Sequence, residues 1–572
     1  MTKPGDVSWH SNVESPLVLD NVDQANWTES ADVVVVGFGA AGASAAIEAR
    51  ANGAEVLAVD RFEGGGSTAI SGGIYYGGAT QVQREAGYED TPEEMYKYLK
   101  LETEGVVGDD TLMRFCRDSN ANLQWLQAQG VRFDSTLYKT KRSYPPNKYY
   151  LYFSGNELVA GYREHAKPAP RGHRVLGGGY TGGVLFQALK DSALGKGVRL
   201  MTHAPASRLV LDRSGVVIGI EVRRIPPGTK AWKKHSRLIR LINSGLNYFE
   251  PAIQWAARKS APLEQGFGER ILIRARRGVV LSTGSFAMNR PMVRHYAPNY
   301  AGAMALGSVG CDGAGIRMGQ TAGGAIGEME RVSAWRSISP PTAFVKGVAV
   351  TSNGERFVSE DVYLGRMGER IAALPDRKAW LIVDKPLYRE SWKNTVPTFE
   401  KGWLPEWLSY GLMLLINLLT NTRKGRTLAE LAKKCGVPPT NLERTVAKYN
   451  AALALGTDPL GKSPEYLDPL ADAPYYAIDI SIDSKKYPCP SIPMGGLVVD
   501  EITGHVKRED GSHIAGLFAA GRNAIGICSR FYVSGTSIAD CVFAGRRAGR
   551  SAAIENPQST AVVPGAASAS NA

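Results

Sequence analysis

Histidine and cysteine are scarce in this chain, with eight of the first and six of the second among 572 residues. The cysteines (Cys116, Cys311, Cys435, Cys489, Cys528 and Cys541) are scattered, with no CxxC pair and no metal-ligand spacing. That excludes a metal centre and reads the thiols as small buried groups in a reducing compartment. Met1 to Trp27 is polar and lacks the apolar core of a secretory signal, so the expected location is cytoplasmic. The uncharged part of the most apolar run, within 403–419, is shorter than the ~20 residues that a spanning helix needs, and no internal repeat is visible. Acids are outnumbered as well, 55 against 67 Lys and Arg, for a net charge of +12. Nucleic acid is still disfavoured as a partner, because the cations cluster with apolar residues rather than with stacking loops. Apolar content of 44% suits a soluble or peripheral globular protein. The length exceeds what one core supports and predicts two or more domains.

What is present begins with Val33-Val34-Val35-Val36-Gly37-Phe38-Gly39-Ala40-Ala41-Gly42. The valine run predicts a buried parallel strand, and Ala43 to Asn52 predicts a helix. Glu55 to Val59 follows as a second strand ending at Asp60. Gly37 permits the tight turn, Gly39 lets the backbone approach a pyrophosphate, and Gly42 packs helix on strand. The helix start offers N–H groups to phosphates, and Asp60 can accept from a ribose hydroxyl. The alternative is a glycine-rich turn with no ligand. The next loop, Gly64-Gly65-Gly66-Ser67-Thr68-Ala69-Ile70-Ser71-Gly72-Gly73, favours an extended FAD over a nicotinamide cofactor. Its small residues admit a large flat ligand and its hydroxyls supply hydrogen bonds. Near the C-terminus, Gly516-Leu517-Phe518-Ala519-Ala520-Gly521 reads as a strand. Ser534-Gly535-Thr536-Ser537-Ile538-Ala539-Asp540 opens a helix through Arg550, whose N-terminus suits the negative charge of a reduced flavin.

Together with Arg277-Gly278-Val279-Val280-Leu281-Ser282-Thr283-Gly284-Ser285-Phe286 and Cys311-Asp312-Gly313-Ala314-Gly315, these segments resemble the FAD-dependent fumarate reductase/succinate dehydrogenase flavoprotein superfamily, in the family's order over most of residues 30 to 553. The resemblance implies an α/β fold, a Rossmann-like FAD-binding domain of the glutathione-reductase type interleaved with an α+β catalytic domain. The expected plan is an extension over 1–29, the first FAD part over 30–289, the catalytic domain over 290–485 and the last FAD part over 486–555. The Ala/Ser/Pro-rich 556–572 is expected to be disordered. The cofactor residues implied are Gly37, Gly39, Ala41, Gly42, Asp60 and Arg61, then Ser67, Thr68, Ser71, Gly72 and Gly73. Ala206, Thr283, Gly284, Asn289 and Asp312 follow, with Gly521, Arg522, Ser537 and Ile538 from the end of the chain. Two departures stand out. Ser67-Thr68 occupies the place of the flavin-attaching histidine of quinol-linked members, so FAD is expected to be non-covalent. Arg522 replaces the acid that commonly follows the C-terminal AAG.

Fumarate-type members neutralise two substrate carboxylates with histidine and arginine, and no histidine here falls in that substrate loop. Gly354-Glu355-Arg356-Phe357-Val358-Ser359-Glu360-Asp361-Val362-Tyr363 presents Tyr363 instead, and Tyr532-Val533-Ser534 precedes the C-terminal helix. Hydroxyls without cations suit a neutral ketone. The chain resembles the FAD-dependent 3-ketosteroid dehydrogenases of the Δ4-(5α) type. Tyr144-Pro145-Pro146-Asn147, Tyr152-Phe153-Ser154-Gly155-Asn156-Glu157, Pro168 to His173 and Gly545 to Gly549 add support. By that resemblance Tyr532 binds the C3 ketone, Ser534 takes the C4 proton, Tyr363 supports its passage, and the C5 hydride goes to flavin N5. The electron acceptor is expected to be a quinone or another carrier. The alternatives are Δ1-dehydrogenation, a fumarate reductase-like activity, and a non-catalytic flavoprotein.

Two segments read as insertions. The first, basic and amphipathic, lies within 223–268. Its core, 223–259, carries Arg224, Lys230, Lys233, Lys234, Arg237, Arg240, Arg258 and Lys259 among Trp232, Leu238, Ile239, Leu241, Ile242, Leu246, Tyr248, Phe249, Ile253 and Trp255. The second, within 395–426, holds the apolar run 403–419 with Arg423, Lys424 and Arg426 behind it. Such segments suit the surface of an anionic bilayer, here the inner face of the cell membrane.

Overall fold

The computed structural model describes residues 13–243, 250–396 and 411–555. Its main sheet combines β1 (Leu17–Leu19), β2 (Glu29–Val36), β3 (Val56–Val59), β4 (Arg199–Met201), β5 (Ala206–Asp212), β6 (Val217–Arg224) and β7 (Glu269–Leu281) in the order β1, β5, β6, β7, β2, β3, β4. The β7–β2–β3–β4 run is parallel, whereas β5, β6 and β7 pair antiparallel. Being central explains the valine run: Val33, Val34 and Val35 are fully buried because both faces of β2 are covered. From the far end of the chain, His513–Ala519 adds alongside β7 through Leu517, Phe518 and Ala519. The sheet is therefore completed by segments hundreds of residues apart in sequence.

Two helices seal one face. Ala40–Ala51 (α1), capped by Gly39, starts three residues earlier than the sequence suggested, and Thr536–Ile554 crosses it. A Cβ on Gly545 would lie 2.4 Å from Ala41 O, and one on Gly549 would lie 2.1 Å from Ala45 O. Small residues on both helices thus permit backbone-to-backbone packing, and a larger side chain at Gly549 would force the helices apart.

Residues 290–485 contain a separate antiparallel sheet, Val348–Thr351, Ala379–Val383, Tyr475–Asp479 and Thr422–Gly425 in that order. Leu364–Ala372 and Leu412–Thr420 flank it, and Leu414 and Leu418 of the latter are buried in its core. A further small sheet joins Ile74–Tyr76, Gly172–Arg174, Leu151–Tyr152 and Leu137–Tyr138.

The basic insertion forms α2 (Lys230–Leu241) and α3 (Glu250–Phe267). Its apolar face does not point outward, as the bilayer reading supposed. Ile239, Ile242, Ile253 and Ala256 pack on Phe62, Ala287, Met288, Val309 and Cys311. Burial of each large side chain is worth ~1.5–3 kcal/mol, which outweighs the ~1 kcal/mol that one cation gains at an anionic surface. The cations Lys230, Lys233, Lys234, Arg237, Arg258 and Lys259 remain outside with Leu241 and Trp255. Leu246, Tyr248 and Phe249, residues 403–410 of the apolar run, and 556–572 lie outside the described residues. Among the described residues, no helix is long and apolar enough to cross a membrane.

Candidate active site

A cavity of about 1210 Å³ runs from the C-terminal ends of β2, β3 and β7 to Leu364, Met413 and Leu414 of the helices that flank the second sheet. At one end, Gly37 adopts φ +92, and a Cβ there would meet Ser282 O at 2.7 Å. Only glycine fits this turn between β2 and α1. The Ala40 N–H donates to Thr68 Oγ1 at 3.0 Å, tying the second glycine-rich loop to the start of α1. Asp60 accepts from the Phe38 and Phe62 backbone N–H groups, each at 2.8 Å. Burial pushes its carboxyl pKa up, and those donors oppose the shift. Arg61 lines the cavity, but its N–H groups already face Glu264 and Asp312.

Ser67, Thr68, Ser71, Gly72 and Gly73 line the middle, with Gly39, Ala41, Ala206, Thr283, Gly284 and Asp312. Ser67 Oγ lies 3.0 Å from Cys311 Sγ. The C-terminal helix enters from Gly535 at φ +97, without a side-chain cap, and Ser537 and Ile538 reach the wall. The Thr536 N–H donates to Val533 O at 3.0 Å, so it is the Ser537 and Ile538 N–H groups of the first turn that can face a negative charge. Arg522 also reaches the wall, yet its Nη2 donates to Asp540 Oδ2 at 2.9 Å. The carboxylate missing after the AAG is thus supplied to the arginine from within the helix.

Three expected cofactor residues stand behind the wall rather than on it. Gly42 is in the close α1 turn, where a Cβ would lie 2.0 Å from Gly37 O, and Gly521 packs on Ala41. Asn289 is fully buried, and its Nδ2 donates to Asp312 O at 2.9 Å. Its amide holds the Asp312 loop in place and caps the following helix.

Tyr363, Tyr532 and Ser534 all line the cavity. Trp335 stacks on Tyr532 with centroids 5.4 Å apart and planes at 26°. Burial pushes the Tyr532 phenol well above its usual range, so it stays a neutral donor. Ser534 Oγ donates to Ser143 O at 3.2 Å and lies 3.2 Å from the hydroxyl of Tyr152. Tyr152 was not singled out as a catalytic candidate, although its Tyr-Phe-Ser-Gly-Asn-Glu patch stood out in the sequence. Asn156 from that patch accepts the Tyr363 N–H at 2.6 Å. Ile74, Tyr144, Tyr180, Met413, Leu414 and Tyr487 complete largely apolar walls. Among the described residues no histidine lines the cavity, and Arg61, Arg223, Arg290 and Arg522 each pair with a carboxylate.

A βαβ cradle with a second glycine-rich loop, opening onto an apolar chamber, defines a dinucleotide-dependent oxidoreductase. Residues 32–537 match the FAD binding domain family. The chain is 38% identical to the 3-oxo-5-alpha-steroid 4-dehydrogenase of Comamonas testosteroni, over 90% of this chain and 97% of that one. It resembles the crystal structure of the 3-ketosteroid-delta4-(5alpha)-dehydrogenase of Rhodococcus jostii RHA1 with 4-androstene-3,17-dione, at TM-score 0.78 and 31% identity, covering 95% of this chain and 100% of that one. A 3-oxosteroid 1-dehydrogenase of Mycolicibacterium smegmatis is 26% identical over 86% of this chain and 91% of that one. The chain belongs to the FAD binding domain family and, within it, to the 3-ketosteroid Δ4-(5α)-dehydrogenases. FAD fits the cradle: packing against Ser282 and Gly37 forces glycine at 37 and 42, and Gly39 presents bare backbone to the cavity at the start of α1.

Proposed function

We infer that this enzyme oxidises 3-keto-5α-steroids to 4-ene-3-ketones. Bound FAD supplies the two-electron acceptor for the C5 hydride. The protein's part is to acidify and remove the C4 proton. Tyr532, neutral and braced by Trp335, donates to the C3 ketone as enolate charge develops, a donor of the kind worth ~3 kcal/mol in such sites. Ser534 takes the C4 proton at Oγ as it gives up its own hydroxyl proton, which Tyr363 relays to solvent. Tyr152 and the Ser143 carbonyl hold Oγ in register for that step.

The observation that carries this reading is the Tyr532 and Ser534 pair in an apolar chamber whose arginines are already neutralised. A dicarboxylate would meet no unpaired arginine among Arg61, Arg223, Arg290 and Arg522, and the single charge of Lys485, which also lines the cavity, does not match two carboxylates, which disfavours fumarate or succinate. The test is anaerobic flavin bleaching with 5α-androstane-3,17-dione, androst-4-ene-3,17-dione and succinate in parallel. Bleaching by the first supports the assignment. Bleaching by the second alone would make the enzyme a Δ1-dehydrogenase, and by succinate alone would end the steroid reading.

The acceptor that reoxidises the flavin is proposed to be a quinone or a similar carrier. Peripheral contact with an anionic bilayer is proposed through the outer cations of α2 and α3. Leu412–Thr420 lies on the same cavity, with Met413 and Leu414 inside it and Ile416 and Leu419 exposed. A lipid-borne steroid would then enter beside it. The proposed location is the cytoplasm, at the inner face of the membrane.

A further inference from the structure

The Arg61 guanidinium is held from two sides. Glu264 Oε1 accepts from Nε at 2.8 Å and Glu264 Oε2 from Nη2 at 3.0 Å, while Asp312 Oδ2 accepts from Nη1 at 2.7 Å. The partners come from unrelated places. Glu264 belongs to the last turns of the inserted helix α3, and Asp312 to the loop before Ala314–Thr321. Arg61 itself follows Asp60 at the end of β3, the ribose end of the cradle. One planar, two-pronged cation therefore joins three walls of the nucleotide half of the cavity, all of which line it.

The latch is built rather than incidental. Glu264 is 7% exposed, and burial alone would raise its pKa, but the Arg61 charge and the His235 hydrogen bond hold it at about 2. His235 Nε2 lies 3.0 Å from Glu264 Oε1, and its ring stacks on Phe62 at 5.2 Å. Phe62 also lines the cavity, as do Ile239, Asn243 and Pro251 from the insertion. A buried carboxylate that lost its cation would be left unpaired, so the helix carrying it is bound to Arg61 while the latch is closed.

We propose that the inserted α2–α3 pair is a clasp on the bound cofactor: Glu264, by fixing Arg61 and Asp312, keeps the pair closed over the nucleotide half of FAD and slows its release. Glu264 is a positioning residue in this arrangement. It goes beyond the dehydrogenase activity and rests on FAD occupying the cradle.

The experiment dilutes wild-type, E264Q and R61Q holoenzymes into FAD-free buffer and follows free-flavin fluorescence. Release from either variant is expected to be ~10-fold faster or more, which corresponds to ~1.4 kcal/mol. The double variant should release no faster than the singles, since both remove one latch. Holoenzyme Tm should fall more than apoprotein Tm in E264Q. E264D, which keeps the charge on a shorter arm, gives a second reading if E264Q folds poorly, and should lie between wild type and E264Q. Release from E264Q and E264D within about twofold of wild type, equal Tm losses with and without FAD, or flavin that leaves no protein at all would each overturn the clasp.

Discussion

The hydroxyls of Ser534 and Tyr152 lie 3.2 Å apart, and both are within reach of the Ser143 carbonyl, at 3.2 and 3.3 Å. Tyr152 is fully buried, and burial pushes its phenol well above the usual range. It is thus a fixed neutral partner for Oγ. Tyr152→Phe is expected to lower kcat by ~10-fold or more with KM nearly unchanged, because Oγ alignment matters more in the transition state than in binding. The kcat and KM split, measured with 5α-androstane-3,17-dione, checks this. A raised KM at wild-type kcat would mean that Tyr152 shapes the chamber and does not align the serine.

Tyr532→Phe should lower kcat by ~10² or more while FAD stays bound, if its hydroxyl stabilises the enolate. Ser534→Ala and Tyr363→Phe should also suppress turnover. Near-normal rates in all three, with normal flavin absorbance, would show that the reacting carbons lie elsewhere in the cavity.

The cofactor half of the site was legible in the sequence because its constraints are local. Gly37 must turn with positive φ, and the valine run must be buried on both faces, so residues adjacent in sequence announce a βαβ cradle. The long-range contacts were not legible. Nothing near Arg61 in sequence reveals Glu264, and nothing near Ser534 reveals Tyr152, since each pair is joined by the closure of separate segments. The insertion shows the limit of amphipathicity: its period was visible, but the surface its apolar face would bury was not. Asn289 and Gly521 look like cofactor residues for a similar reason, lying in motifs whose neighbours touch the cavity while they support it from behind.

FAD should be released by acid precipitation. By the sequence resemblance Ser67-Thr68 stands at the flavin-attaching position of quinol-linked enzymes, and Ser67 is a poor nucleophile engaged with Cys311. Yellow supernatant and a colourless pellet are the expected outcome. A flavin that remained with the pellet would show a covalent bond and direct attention to the Cys311 thiol.

Stability should fall on mild acidification. His173 and His203 are fully buried, and desolvation lowers each from 6.5 to about 4. For His203 the neighbouring His235 adds to the shift, against Glu63 and Glu264. The unfolded chain therefore binds more protons than the folded one between these values. The stabilisation is complete above pH 6.5 and is lost as pH falls toward 4, by up to ~1.4 kcal/mol per unit for each ring. Glu264 opens a second window, from its ordinary 4.5 down to about 2, and Asp60 and Glu157, raised by burial, bind protons in the fold and work the other way, so the comparison of His173→Gln with wild type between pH 7 and 4.5 isolates that ring. Tm should drop across that range, and His173→Gln should flatten the slope. An unchanged slope would mean that these rings are already charged in the folded protein.

Membrane contact makes the last prediction. The outer face of α2 and α3 carries Lys230, Lys233, Lys234, Arg237, Arg258 and Lys259, with Trp255 41% and Leu241 50% exposed. Because the larger apolar residues face the core, attachment would be chiefly electrostatic, with tryptophan and leucine reaching only the headgroup boundary. The protein should sediment with anionic vesicles at low salt, detach at high salt as the Debye length shrinks, and ignore neutral vesicles. Replacing Lys233, Lys234, Arg237 and Lys259 with Gln should abolish sedimentation and leave kcat for a soluble steroid intact. Replacing the exposed Ile416 and Leu419 with Gln separates the contribution of the second insertion without removing its buried Leu414 and Leu418. Salt-resistant binding would assign the contact to apolar insertion, and a protein wholly in the supernatant at low salt would dismiss the membrane altogether.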